Sequence, residues 1–258
     1  MTASRQTATL ACGADEGGDV RNRSGRVLGH RVAGGHTDRS HHRSADLYGR
    51  ALLSRQAAGG RDGSGWRVRD DDGAVRCLDA ALDRWLGPCD AADRTVLDRC
   101  SGPTLDVGCG PGRLVAELRR PGVPSVGIDV NEVAVGMTRE RGGTALCADV
   151  FGAVPERVRW GTLVLLDGNL GIGGDPVRLF DRCARLLESG GQLVVETEAP
   201  GRGRGLGRSR LENGAEAGQW FPWATLDVAG ATACAASASL QLREVWSEAD
   251  RWFVALTA

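Results

Sequence analysis

Residues 104–112 read Thr-Leu-Asp-Val-Gly-Cys-Gly-Pro-Gly, and no other stretch constrains the fold as tightly. A short strand runs into a turn with glycine at alternate positions, and the turn opens a helix at Arg113. Glycine reaches left-handed backbone conformations without steric cost and lets a ligand approach the main chain. The next strand, Val126-Gly127-Ile128-Asp129, ends in a carboxylate 21 residues after Gly108. A carboxylate at that place can accept both hydroxyls of a ribose. Further on, Thr162-Leu163-Val164-Leu165-Leu166 is a continuous apolar run, as expected of a strand covered on both faces.

From residue 101 onward the pattern predicts strands at 104–107, 125–129, 144–147, 162–166 and 192–196. Helices alternate with them at 113–120, 132–139 and 175–187, the last ended by Gly190-Gly191. Such alternation predicts an α/β fold: a Rossmann-like, doubly wound, mostly parallel seven-stranded sheet in a three-layer sandwich. Residues 240–246 and 251–257 close the sheet as a hairpin with an antiparallel last strand. A Gly/Arg loop is expected at 200–210 and a helix at 223–237. Ahead of this core, 44–56 reads as a helix with Leu47, Ala51 and Leu52 on one face. Residues 66–78 form a hairpin around Asp72-Gly73, and helices follow over 80–86 and from Asp90 to about Cys100. Three parts result: a disordered tail at 1–43, a helical and hairpin cap at 44–100, and the main domain at 101–258. The tail is too polar and glycine-rich to offset its ordering entropy.

Composition narrows the chemistry. All 32 basic residues are arginine, and the four histidines (His30, His36, His41, His42) lie in the first 42 residues. Schiff-base lysine chemistry is excluded, and a Ser-His-Asp or Cys-His apparatus would need the tail over the site. The arginine, alanine and glycine bias is that of a GC-rich genome. A net charge of −1 argues against a general nucleic-acid binder. Eight cysteines without a C-x-x-C pair read as free thiols in a reducing compartment, and no metal set is evident. No stretch reaches the length of a membrane span, and the N-terminus does not read as a signal peptide, so a cytoplasmic location is expected.

Two ligand classes compete for the glycine turn. A nicotinamide or flavin dinucleotide would require a small third residue where Arg113 stands. Asp106 would also repel a pyrophosphate, whereas a cationic sulfonium with its ammonium group would be welcomed. Residues 104–197 resemble the class I S-adenosylmethionine-dependent methyltransferases, of the methyltransferase-domain type found in actinobacteria. Leu105–Gly112 resembles the family's first motif and Val126–Val130 its second. Cys147-Ala148-Asp149-Val150 resembles the segment near the adenine, Leu165–Asn169 the motif beside the methyl group, and Leu186–Gly191 the turn before the fifth strand.

The resemblance implies S-adenosyl-L-methionine as methyl donor and a role for each matching position. Asp106, Gly108, Cys109, Gly110 and Gly112 would shape the methionine side. Asp129 and Val130 would hold the ribose, Asp149 and Val150 would edge the adenine, and Asp167 would lie near the methyl group. The loop after the fourth strand lacks the Asn/Asp-Pro-Pro-Tyr/Phe pattern of amino-group methyltransferases, and a metal or His/Lys set for small phenols is not evident. A base would therefore be a carboxylate (Asp167, Glu196 or Glu198), Tyr48 or a thiolate, with Asp167 and Glu196 the catalytic candidates. Asn169, Trp220, Trp223 and Tyr48 are the candidate acceptor-site residues, with Trp66 also considered. Arg202, Arg204, Arg208 and Arg210 could meet an anion. The acceptor is expected to be a small molecule. A non-catalytic cofactor-binding module and an aminopropyl-type transferase fit the same residues.

Overall fold

The computed structural model describes residues 39–59, 63, 65–119, 124–154, 158–214 and 216–258, with backbone alone at 39–45. Helix α1 (Arg39–Ala58) is followed by β1 (Trp66–Asp70), β2 (Val75–Cys77), α2 (Asp79–Leu86) and α3 (Ala91–Leu97). Next come β3 (Thr104–Val107), α4 (Arg113–Glu117), β4 (Ser125–Asp129), α5 (Glu132–Glu140), β5 (Ala145–Cys147) and β6 (Trp160–Leu165). A 3-10 turn (Asn169–Gly174) leads to α6 (Pro176–Leu186) and β7 (Leu187–Thr197). The chain ends with β8 (Arg204–Asn213), β9 (Glu216–Ala217), β10 (Phe221–Leu226), α7 (Val228–Ser237), β11 (Gln241–Glu248) and β12 (Arg251–Thr257).

The main sheet has seven strands in the order β11-β12-β7-β6-β3-β4-β5. Strand β12 runs antiparallel to both neighbours, and the pairings among β7, β6, β3, β4 and β5 are parallel. Strand β6 is buried at all six positions, and its side chains divide between two cores. Leu163 and Leu165 pack with Leu179, Phe180 and Cys183 of α6 and Ala231 and Ala235 of α7. Val164 packs on the other face with Ala92 and Val96 of α3 and Leu114 of α4. This two-sided cover is why the strand reads as an unbroken apolar run.

A second sheet, absent from the sequence expectation, has the order β10-β8-β1-β2 with β9 beside β8. The expected 200–210 loop is largely β8, and Trp223–Leu226 belong to β10 rather than to a helix. Glycine and arginine have little intrinsic strand preference, but β8 is the central strand between β1 and β10, and that pairing overrides propensity. The helix starts only after Asp227, which caps it by accepting from Gly230 N at 2.9 Å. The other Asp227 oxygen accepts from Gly201 N and Gly203 N, both at 3.0 Å. These backbone bonds hold its carboxyl below the ordinary range.

Gly190-Gly191 also does other work than expected. The helix ends at Leu186, and the pair lies inside β7, where the register with β6 shifts between Trp160 and Thr162. Helix α1 starts at Arg39 and so takes in residues 39–43 of the expected tail. The remainder of that tail, with His30 and His36, lies outside the described residues. No described helix is long and apolar enough to cross a membrane.

Candidate functional site

Strand β3 is flanked by β4 on one side and β6 on the other. The loop after β3 therefore leads one way and the loop after β6 the other, and a crevice opens between them at the carboxyl ends of the strands. Its lining includes Asp106, Gly108, Cys109, Arg113, Leu114, Leu166, Asp167 and Asn169. Gly108, Gly110 and Gly112 have φ values of 74°, 53° and 80°, in the left-handed region. A Cβ on Gly112 would overlap Thr138, and one on Gly108 would lie 2.6 Å from Asn169 Nδ2. Glycine is thus required by close packing beneath the turn as well as by its conformation.

Asp129 is buried at the end of β4. One carboxylate oxygen accepts from Gly110 N at 3.0 Å and the other from Asn131 N at 2.8 Å. A carboxylate has about four acceptor positions, so capacity for a ligand hydroxyl remains beside its backbone donors. Burial raises this carboxyl, and the backbone donors of Asn131, Gly110 and Val130 oppose the rise. Val130 beside it is half exposed, at 49%. Asp149 is exposed and accepts from Phe151 N at 2.9 Å. Val150 is buried in the α6-side core, and its carbonyl accepts from Arg182 Nε at 2.9 Å.

Asp167 has φ 55° and receives two guanidinia. Arg113 donates to its Oδ2 at 2.6 Å and Arg84 Nε to its Oδ1 at 3.1 Å. Glu196 accepts from the Asp167 backbone N at 2.7 Å and from Arg251 through two bonds of 2.8 Å. Asp93 joins the two halves, accepting twice from Arg113, at 2.8 and 2.9 Å, and once from Arg251 at 2.9 Å. Burial works against the charged form of Asp93, but Arg113 and Arg251 outweigh it and hold the carboxyl down at about 2. The same Asp93 completes a capping box with Asp90 at the start of α3. A buried frame of charged pairs therefore forms one end of the crevice. Neither Arg251 nor Asp93 belongs to a motif legible in the sequence, because their partners come from distant positions. Arg113 was visible only as the residue that spoils a dinucleotide fingerprint.

Other expected site residues are distributed around this frame. Asn169 donates through Nδ2 to the carbonyls of Val107 at 2.9 Å and Gly108 at 2.8 Å, so it ties the loop after β6 to the glycine turn. The Tyr48 hydroxyl lies 3.0 Å from the position a Cβ would take on Gly110, which brings α1 over that turn. Burial, with Asp129 nearby, pushes its phenol well above the ordinary value. Its ring meets Trp85 edge-on at 5.8 Å. Trp223 packs against Gly168 and Gly171 and meets Phe221 edge-on at 5.8 Å. Trp220 instead lies under Arg210, 4.7 Å from its guanidinium carbon. Trp66 is 1% exposed in the core between the second sheet and helices α1 and α2, which removes it from the crevice. Glu198 is exposed beyond the end of β7. Arg204, Arg208 and Arg210 occupy alternate positions on β8, and Arg210 is paired with Glu212 at 2.6 Å. Among the described residues no group of three or more His, Cys, Asp or Glu is placed to hold a metal ion.

A doubly wound sheet with one reversed strand thus sets a glycine turn opposite an acid at its switch point. Residues 105–195 match the family model described as a methyltransferase domain. The fold is shared with a SAM-dependent methyltransferase from Bacteroides fragilis, solved with S-adenosyl-L-homocysteine. The TM-score is 0.66 at 21% identity, over 84% of this chain and 96% of that one. It is also shared with an amino pentose methyltransferase from Micromonospora echinaspora involved in calicheamicin biosynthesis, solved with bound SAM. There the TM-score is 0.51 at 18% identity, over 69% of this chain and 95% of that one. An O-methyltransferase from neocarzinostatin biosynthesis, in complex with S-adenosyl-L-homocysteine and 1,4-dihydroxy-2-naphthoic acid, gives a TM-score of 0.52 at 20% identity. That match covers 70% of this chain and 57% of the other. No curated protein sequence matches the chain.

Proposed function

We propose that this chain transfers a methyl group from S-adenosyl-L-methionine to a small-molecule acceptor. The observation that carries the reading is the crevice at the β3/β6 switch point, with Asp106 and the glycine turn on its floor and Asp129 at the end of the neighbouring strand. The residues fit the cofactor. Asp129 keeps acceptor capacity for a ribose hydroxyl beside its backbone donors, the glycine turn lines the crevice, and the Asp106 carboxyl lies where the positive groups of the methionine moiety would be held. The bound cofactor supplies an electrophilic methyl group on sulfur.

The protein's part is alignment of the acceptor and exclusion of water. Asp167 and Glu196 accept N–H groups from three arginines and one backbone amide, so they act in this reading as positioning residues at the methyl end of the crevice. In this reading Trp223, beside Gly168 and Gly171, and Tyr48, beside Gly110, would supply aromatic surface for the acceptor. An apolar or aromatic body is favoured by that surface. Amine, thiol or carboxylate acceptors need little help from a base, which suits a site whose carboxylates are already paired. The test is a coupled assay for S-adenosylhomocysteine across a panel of small metabolites, followed by Asp167→Asn with Glu196→Gln on any acceptor found. Turnover should fall by about 10- to 100-fold through lost alignment. An unchanged rate would remove these two residues from the mechanism.

A further inference from the structure

Strands β1 and β8 carry a row of arginines on the face of the second sheet turned away from helices α1 and α2. Their register sets Arg67 opposite Glu212 and Arg69 opposite Arg210. Alternation along β8 adds Arg204, Leu206 and Arg208 to the same face. The other face, with Trp66 and Leu211, is buried against Leu47, Ala51 and Leu52 of α1 and Leu82 of α2. The positions on β2 and β10 that share the arginine face by register carry no charge. Five arginines thus stand against one carboxylate, in a chain whose net charge is −1. That carboxylate is divided between two of them: Glu212 accepts from Arg69 Nε at 2.9 Å and from Arg210 Nε at 2.7 Å. Among the described residues Arg67, Arg204 and Arg208 are in no salt bridge, and the Arg208 guanidinium donates only to the Trp220 carbonyl, at 3.4 Å. Leu206, between Arg204 and Arg208, is 53% exposed.

Like charges held side by side on a sheet repel one another, and the leucine among them leaves apolar surface in water. One kind of occupant relieves both costs: a protein surface with several carboxylates around an apolar side chain. Arginine around an apolar centre is the composition of a protein–protein contact. A nucleic acid matches less well, because it needs open aromatic faces on which bases stack. Trp220 is the aromatic beside the row, and the Arg210 guanidinium already covers one face of its ring, 4.7 Å from the centroid. We propose that this sheet face docks an acidic protein segment, whose carboxylates meet Arg67, Arg204 and Arg208 and whose apolar side chain packs on Leu206. The surface does not depend on the cofactor reading above. The arginines after residue 200 already suggest an anion in the sequence. Pairing of β8 with β1 adds Arg67 and gathers the scattered cations on one face.

Fluorescence anisotropy of the full chain with labelled probes tests it. One probe is a peptide of alternating glutamate and serine with a leucine at its centre. A second peptide has serine in place of that leucine, and the third probe is a uridine oligonucleotide of equal charge. Wild type should bind the leucine peptide about 10-fold more tightly than the serine peptide, the worth of burying one leucine. It should also bind the leucine peptide more tightly than the oligonucleotide. Leu206→Ser should remove the difference between the two peptides. Arg204→Glu with Arg208→Glu should weaken both peptides by about 10-fold or more, since like charges then face each other. Arg67→Gln, on the neighbouring strand, should weaken both by about 3-fold, and it decides the matter if the double variant does not fold. No binding of either peptide to wild type overturns the proposal. So does equal affinity for the two peptides, or affinity unchanged in the arginine variants. Tighter binding of the oligonucleotide overturns it as well, and assigns the face to nucleic acid.

Discussion

Burial pushes the Asp106 carboxyl up to about 7, against the pull of Arg113 and helped by the charges of Asp167, Asp129 and Asp93. The folded protein then holds this proton more tightly than the unfolded chain, whose carboxyl keeps its ordinary value near 3.8. Charging Asp106 therefore costs stability progressively as pH rises from its unfolded value towards its folded one. Asp106→Asn should raise the melting temperature at pH 8 more than at pH 5. A cationic ligand reverses the preference, since it favours the charged carboxylate. Binding of S-adenosylmethionine should release a proton near pH 6 and tighten as pH rises through 7. Calorimetry in buffers of different ionisation enthalpy reads that proton directly. The same binding heat in every buffer would contradict the assignment of Asp106 to the positive end of the ligand, and the effect should vanish in Asp106→Asn.

At the level of elements, the glycines after β6 have a packing cause. A Cβ on Gly171 would overlap the Ala224 carbonyl and come within 2.8 Å of the Trp223 ring. One on Gly174 would meet Pro222 at 2.7 Å, and one on Gly173 would meet Phe151 at 2.8 Å. The run 171–174 is where β10 and Phe151 lie directly against the loop. Gly171→Ala should push β10 outward and destabilise the fold by about 1–3 kcal/mol in urea unfolding, as overpacking does. Titration with S-adenosylhomocysteine should show unchanged affinity if Trp223 borders the acceptor side, as proposed, and not the ribose. Loss of that affinity would contradict the separation of the two subsites. The sequence showed that these glycines meant either a loose loop or close apposition, but not which. The sequence pattern predicts helix over 223–237, which takes in the last four residues of β10, because Ala224, Leu226 and the alanine-rich segment after Asp227 form one apolar stretch. Only the pairing of Phe221–Leu226 with β8 separates strand from helix.

The whole molecule was legible where local pattern and global fold agree. Strands β3, β4 and β6 and the turn between β3 and α4 carry their own signals: alternating or continuous apolar residues, glycines and a terminal acid. The ionic frame was not legible, because Asp93, Arg113, Asp167, Glu196 and Arg251 become neighbours only after β12 has closed beside β7. The absence of lysine, and of histidine beyond residue 42, now has a structural counterpart. Arginines take the cationic places around the crevice, and carboxylates and backbone amides take the others. In this account the core binds the adenosine end, and the cap and second sheet wall the acceptor. The test that bears most directly on it is titration of S-adenosylhomocysteine into the wild-type chain and into Asp129→Asn. Wild type should bind one equivalent, and the variant should bind about 10- to 100-fold more weakly, having lost charge-assisted acceptors for the ribose hydroxyls. Absence of binding to wild type, or equal affinity in the variant, would contradict the assignment of the switch-point crevice as the cofactor site.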